Sequence, residues 1–192
     1  MNLFLEKGYE KTTILDIVDH LGGLTRGAFY HHFKSKEEVF IALLDRIFQE
    51  NNLFEEVKIE TEINGLQKIK KVMINQNKMT YASLNAEIAF SLLDNPRLLS
   101  AVVENNTKRV IPCLCDLIEE GIADGSIQKN NAKLLSEAFM LIASFWFLPS
   151  IYPDTKKEFF EKILFVKNIF DNMGFPVFDE EVIASIENQI VS

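Results

Sequence analysis

Apolar residues recur along this chain at spacings of three and four, and no segment carries a convincing alternation of period two. A helix advances about 100° per residue, so this spacing gathers side chains into one stripe per helix and predicts an all-α fold. With 192 residues and 47% hydrophobic content, the chain can bury a real core in one compact domain or two small ones. No apolar run approaches the roughly 18–20 residues of a membrane span. The start, MNLFLEKGYEK, lacks the basic-then-apolar order of a secretory signal, so the expected location is cytoplasmic.

The first clear stripe is Ile14, Ile17, Val18 and Leu21, preceded by Thr12 and Thr13, either of which can cap a helix by accepting from an orphan N–H. Gly22 and Gly23 end it. A short helix over about 25–32 follows, then Lys34 and Ser35 as a break and N-cap. The next helix carries Val39, Phe40, Leu43, Leu44, Ile47 and Phe48, with Glu37 and Glu38 in the first turn where the helix dipole favours negative charge. A polar stretch over 51–64 reads as a soft boundary, giving an N-terminal domain of residues 1–48 and a helical domain of 49–192. Further helices are expected near 66–83, 86–93, 96–123, 132–148, 156–172 and 180–190. Asn95-Pro96, Asp124-Gly125-Ser126 and Pro149 with Pro153 supply the punctuation, and Pro112 predicts a kink inside its helix.

Charge singles out residues 22–36, GGLTRGAFYHHFKSK. The chain has a net charge of -8, yet this segment holds Arg26, Lys34 and Lys36 and no carboxylate. A phosphate-bearing partner is suited by such a surface, because each cation set against a phosphate releases counterions and an intervening acid repels. A helix, a glycine turn and a second short helix also form a helix-turn-helix arrangement, whose second helix enters the major groove. The expected DNA-contacting residues are Thr25, Arg26, Gly27 and Ala28 at the start of that helix. Tyr30, His31 and Lys36 are expected on phosphates, with Thr12 or Thr13 at the first helix's N-terminus. Phe29 and Phe33 are expected to pack inward against Ile17, Leu21 and Phe40. His31 and His32 are helical neighbours that diverge, so His32 is expected to be packed or hydrogen-bonded, and no metal site is expected among the three histidines.

These residues together, GYEKTTILDIVDHLGGLTRGAFYHHFKSKEEVF, resemble the DNA-binding domain of the TetR family of bacterial transcriptional regulators. The resemblance runs over about 4–44 and rests on Gly8-Tyr9, Thr12-Thr13, Ile17, Gly27, Tyr30, His32-Phe33 and Lys36 in family order. It implies an all-helical homodimer with a C-terminal ligand-binding and dimerisation domain. It also implies a repressor released from a near-palindromic, double-stranded DNA operator by a small molecule, with an activator or ligand sensor of the same fold as the alternative. Two departures stand out. The Gly22-Gly23 turn reads one residue longer than the commonest family form, and family members carry further residues ahead of LFLEKGY, where this chain starts at Met1.

Beyond Asp45 the resemblance is architectural, so the effector is not carried over. Aromatic and Met residues at helical spacing suit a small apolar or aromatic ligand, and Met73, Tyr81, Glu87, Phe90, Asn106, Phe139, Phe145 and Trp146 are the pocket candidates, with Asn105 and Glu137 as further polar members. The stretch AFMLIASFWFL is apolar on nearly every side, which predicts burial against a second subunit through Phe147, Phe159, Phe160, Ile163 and Phe170. An enzyme is the rival class, but the chain offers neither a Glu-x-x-His pair nor a usable Cys/His/Asp set, and no cofactor is implied. Cys113 and Cys115, two apart in a helical pattern, face different ways and suggest no metal or redox pair.

Overall fold

The computed structural model describes residues 2–7, 9–22, 25–50, 53–78, 96–148 and 151–191, and among them every regular element is helical. The chain divides into two compact units: Met1–Asn52 with Ser83–Val102, and Leu53–Ala82 with Val103–Ser192. The helices expected near 86–93, and the end of that expected to reach 83, lie outside the described residues.

The first unit opens with α1 (Asn2–Lys7), α2 (Ile14–His20), α3 (Arg26–His32) and α4 (Lys36–Glu50). The first three are six or seven residues long, too short to persist alone, so tertiary packing must hold them. Phe4, Tyr9 and Phe40 supply that packing: their rings lie 5.1–5.9 Å apart and all three are buried. Phe29 of α3 is fully buried beside Ile17 and Val18 in the unit's core set, as the sequence predicts, and Phe33 is half-buried 5.9 Å from Phe29. Leu21, expected inward, is 57% exposed because it sits past the end of α2 as its C-cap. Gly22 follows with φ of 51°, a left-handed turn that favours glycine; Gly23 and Leu24 are outside the described residues.

The second unit holds α5 (Leu53–Lys58), which the polar composition of 51–64 conceals, and α6 (Gly65–Lys78). The helix expected over 96–123 is α7 (Pro96–Asn105), which begins in the first unit and ends in the second, then a wide π-helical turn (Asn106–Val110) and α8 (Ile111–Asp124). The kink expected at Pro112 takes this form: proline has no N–H to give to the preceding turn, and the turn before it is the wide one. The next helix does the same, α9 (Ala132–Leu141) passing into a second π-helical turn (Ile142–Trp146). Then come α10 (Lys156–Asn172), started by a capping box between Thr155 and Glu158, and α11 (Glu180–Val191). Leu114, Leu117 and Ile118 of α8 are the centre of the core, with Ile69 of α6, Leu135 of α9, Val166 of α10 and Val182 of α11 around them.

Three residues of the loop after α10, Phe175, Val177 and Phe178, are also buried, and the rings of Phe139, Phe170, Phe175 and Phe178 form a cluster with centroids 5.4–6.1 Å apart. The segment GFPVF is too short and irregular to register as a periodic element, so its part in the core is invisible to pattern reading.

Where α6 begins, two glycines let backbones touch. A Cβ built on Gly65 would lie 2.3 Å from the N of Gly121 and 2.7 Å from the carbonyl O of Leu117. The Gly65 N–H donates to Asp124 Oδ2 at 2.7 Å, and the Ser126 N–H to Asp124 Oδ1 at 2.8 Å. Partial burial pushes the Asp124 carboxyl up, but these donors prevail and hold it below the ordinary aspartate range. Gly65→Ala is expected to lower stability by about 2–3 kcal/mol in urea unfolding, since the obstructing atoms are main chain. The depressed Asp124 carboxyl stabilises the fold above its unfolded pKa of about 3.9 and stops doing so as pH falls through the lower folded value. Asp124→Asn should therefore flatten the decline of the urea midpoint below about pH 4.

Candidate nucleic-acid interface

The start of α2 is held by a reciprocal cap. Thr13 Oγ accepts from the Asp16 N–H at 3.1 Å, while Asp16 Oδ2 accepts from the Thr13 N–H at 2.9 Å. Lys7 reaches across from α1 to Asp16 at 2.6 Å, and this ammonium, with the Thr13 donors, holds the carboxyl far below its usual range. Thr13 is exposed and stands at the helix N-terminus; Thr12 is only 1% exposed. Thr12 is too deep to meet a phosphate, so of the two threonines only Thr13 is positioned as the sequence reading requires.

Thr25 caps α3, its Oγ accepting from the Ala28 N–H at 3.1 Å. Arg26, Gly27, Tyr30 and His31 are exposed, Tyr30 at 45%, and Ala28 is half-buried. Thr25, Arg26, Gly27, Tyr30 and His31 are thus brought together on one short, solvent-facing helix whose inner side is anchored by Phe29. His32, expected to be packed or hydrogen-bonded, is exposed and lies 5.3 Å from His31 ring to ring. Among the described residues no group of His, Cys, Asp and Glu is arranged to hold a metal ion.

Gly27 has no structural reason to be glycine. A Cβ there would meet nothing nearer than Thr25 Oγ at 3.9 Å, and its φ is not positive. Glycine inside a helix costs roughly 1 kcal/mol relative to alanine.

Lys36 sits differently from the sequence expectation. Its Nζ donates to the Tyr9 carbonyl at 2.6 Å and the Glu10 carbonyl at 3.4 Å, and lies 4.2 Å above the centre of the Tyr9 ring. Two carbonyls and a π-face take up most of what an ammonium can offer. Rather than reaching outward, Lys36 fastens the start of α4 to the loop between α1 and α2.

In the second unit the candidates separate. Asn106 and Phe145 line a groove of about 490 Å³ between the two wide turns, together with Glu137. Phe139 does not: it belongs to the phenylalanine cluster of the core. Met73 packs against that core and Trp146 lies 5.9 Å from Phe165, so neither lines the groove. Tyr81, Glu87 and Phe90 lie outside the described residues. Of the interface candidates, Ile163 and Phe170 are buried within the single chain and are spent on its own core. Phe147, Phe159 and Phe160 are half-buried and touch one another ring to ring. Leu141, within the AFMLIASFWFL stretch, and Leu164 of α10 are more than half exposed, as are Leu134 of α9 and Phe165 of α10, which pattern reading did not single out. Cys113 and Cys115 are free, and burial pushes both thiols up.

Residues 1–43 match the model of the bacterial regulatory proteins of the tetR family. The HTH-type transcriptional repressor KstR2 of Mycolicibacterium smegmatis is 30% identical over 137 residues, 67% of this chain and 63% of that protein. The HTH-type transcriptional regulator TtgR of Pseudomonas putida is 36% identical over 72 residues, 37% of this chain and 34% of that one. The chain therefore spans less than two thirds of either relative. Salmonella enterica GusR shares the fold, with a TM-score of 0.63 at 17% identity over 88% of this chain and 90% of that one. KstR2 and TtgR carry the names of transcriptional regulators, not of enzymes.

Lys36→Met is expected to destabilise the protein by about 1–2 kcal/mol, the worth of a hydrogen-bonded ammonium, while leaving the salt dependence of DNA binding unchanged. A log–log salt slope shallower by about 1 would instead place Lys36 on a phosphate.

Proposed function

We propose that the chain, by its N-terminal domain, is a member of the tetR family of bacterial regulatory proteins and acts as a DNA-binding transcriptional regulator, most simply a repressor. The observation that carries this reading is α3: an exposed, acid-free helix with Arg26, Tyr30 and His31 outward and Phe29 locking it from within. Arg26 can pair bidentately with guanine or phosphate, Thr25 and Thr13 add hydroxyls at helix N-termini, and Tyr30 and His31 hold the backbone. Gly27 lets the main chain approach the duplex, which gives its helix penalty a purpose that the fold does not.

A second copy would place two such helices in successive major grooves of a near-palindromic operator. Leu164 and Phe165 support a homodimer, because single-chain exposure of large apolar side chains is unfavourable. A small effector bound in the second unit would release the operator, its power bounded by its differential affinity for the bound and free states.

Binding to DNA from upstream of the protein's own gene, over a salt series, tests the reading. Arg26→Ala should weaken binding at least tenfold. Gly27→Ala should raise stability by about 0.5–1 kcal/mol and still weaken binding, since alanine suits the helix and its methyl obstructs the approach. Undiminished affinity in both variants, or affinity indifferent to salt, overturns the assignment.

A further inference from the structure

The groove in the second unit takes residues from both wide turns, Asn106 and Thr107 from one and Phe145 from the other. The wide turns Asn106–Val110 and Ile142–Trp146 are tied together by Asn106 Nδ2 donating to Ser144 Oγ at 2.9 Å. A π-helical turn displaces the following residues from the regular helical register, and such turns are frequent at functional sites. Between them lies the groove of about 490 Å³, within the size range of small-molecule sites.

Its walls are apolar, with Ile111, Met140, Leu141 and Phe145 among them, and among the described lining residues three side chains bring polar atoms: Asn106, Thr107 and Glu137. Most of their donors are spent. One N–H of Asn106 Nδ2 is held by Ser144, and the Thr107 hydroxyl donates to the carbonyls of Val103 at 2.8 Å and Glu104 at 3.2 Å. What remains is one amide N–H of Asn106 against several acceptors: the amide oxygen of Asn106, the lone pairs of Thr107 and the carboxylate of Glu137.

Among the described lining residues there is no Lys, Arg or His to offset Glu137. Lys133, four residues earlier on α9, pairs with Glu137 at 3.8 Å, and both side chains are exposed. Such a contact is weak and readily exchanged for a better donor. An apolar trough whose polar atoms mostly accept, and whose one charge among the described lining residues is negative, fits a ligand with a hydrophobic body and a protonated amine. A carboxylate or phosphate ligand would find repulsion from Glu137 and no cation among those residues.

We propose that this groove binds hydrophobic amines, with Glu137 as the counter-charge, Asn106 and Thr107 as accepting neighbours and Phe145 against the ligand's apolar body. The assignment rests on reading the second unit as the ligand-binding part of a regulator and names the chemistry that part selects.

Three probes of one shape, 4-phenylbutylamine, 4-phenylbutanol and 4-phenylbutyrate, separate charge from apolar fit when titrated calorimetrically into the full chain. The amine should bind at least tenfold more tightly than the alcohol, with the acid weakest. Glu137→Gln should abolish the amine's advantage and leave the alcohol's affinity unchanged, and Ala138→Trp should fill the trough and abolish binding of all three. Circular dichroism melting checks that both variants fold. Equal binding of the three probes, preference for the acid, or an amine preference that survives Glu137→Gln overturns the assignment. So does the absence of any binding combined with conversion of a dimer to monomers by Leu141→Arg, which gives the groove to a second copy of the chain. Because none of these titrations contains DNA, their failure leaves the operator-binding reading standing, and loss of operator binding leaves the amine selectivity to be judged by itself.

Discussion

Helices of six or seven residues cannot form alone, and the exposed face of α3 is built from one of them. Nucleating a turn costs more backbone entropy than its first hydrogen bonds return, so α1, α2 and α3 persist only through what grips them from outside. The grip has two parts. Phe4, Tyr9, Phe40 and Phe29 hold the inner faces, and polar fastenings hold the ends: the Thr13–Asp16 cap with Lys7, the Thr25 cap, and Lys36 on the Tyr9 carbonyl. Every outward residue of α3 depends on those anchors for its direction.

The same reasoning separates residues that serve the fold from those that serve the surface. Phe29 and Lys36 earn their places through interior contacts, and Thr12 is buried. Gly27 has no internal contact that asks for glycine, and Arg26 stands exposed at the first position of α3. A helix that carries an avoidable glycine on its exposed side is less stable than alanine would make it, which points to an outside requirement.

Much of the fold was legible because long amphipathic helices announce themselves by period. The helix expected over 156–172 coincides with α10, whose start the Thr155 cap fixes. What escaped reading was whatever depends on distance in the chain rather than on period. Phe175, Val177 and Phe178 enter the core from a loop, α5 lies in a polar-looking stretch, and the wide turns leave no mark on apolar spacing. For the site, the cluster on α3 was readable from charge and order. The seat of Lys36 was not, because a lysine near a basic segment looks the same whether it faces solvent or a carbonyl 27 residues earlier. Phe139, Ile163 and Phe170 were drawn to pocket or interface for the same reason: composition marks a residue as apolar without saying which apolar surface it joins.

The charge balance of the chain also governs how a polyanion meets it. With a net charge of -8, the molecule as a whole repels a strand of phosphates, while the acid-free stretch through α3 attracts one. If α3 is the DNA-binding face proposed above, encounters that present it are favoured over the rest. On that reading the excess acid acts as an orientational filter, discouraging the loose coating that a uniformly basic protein would show.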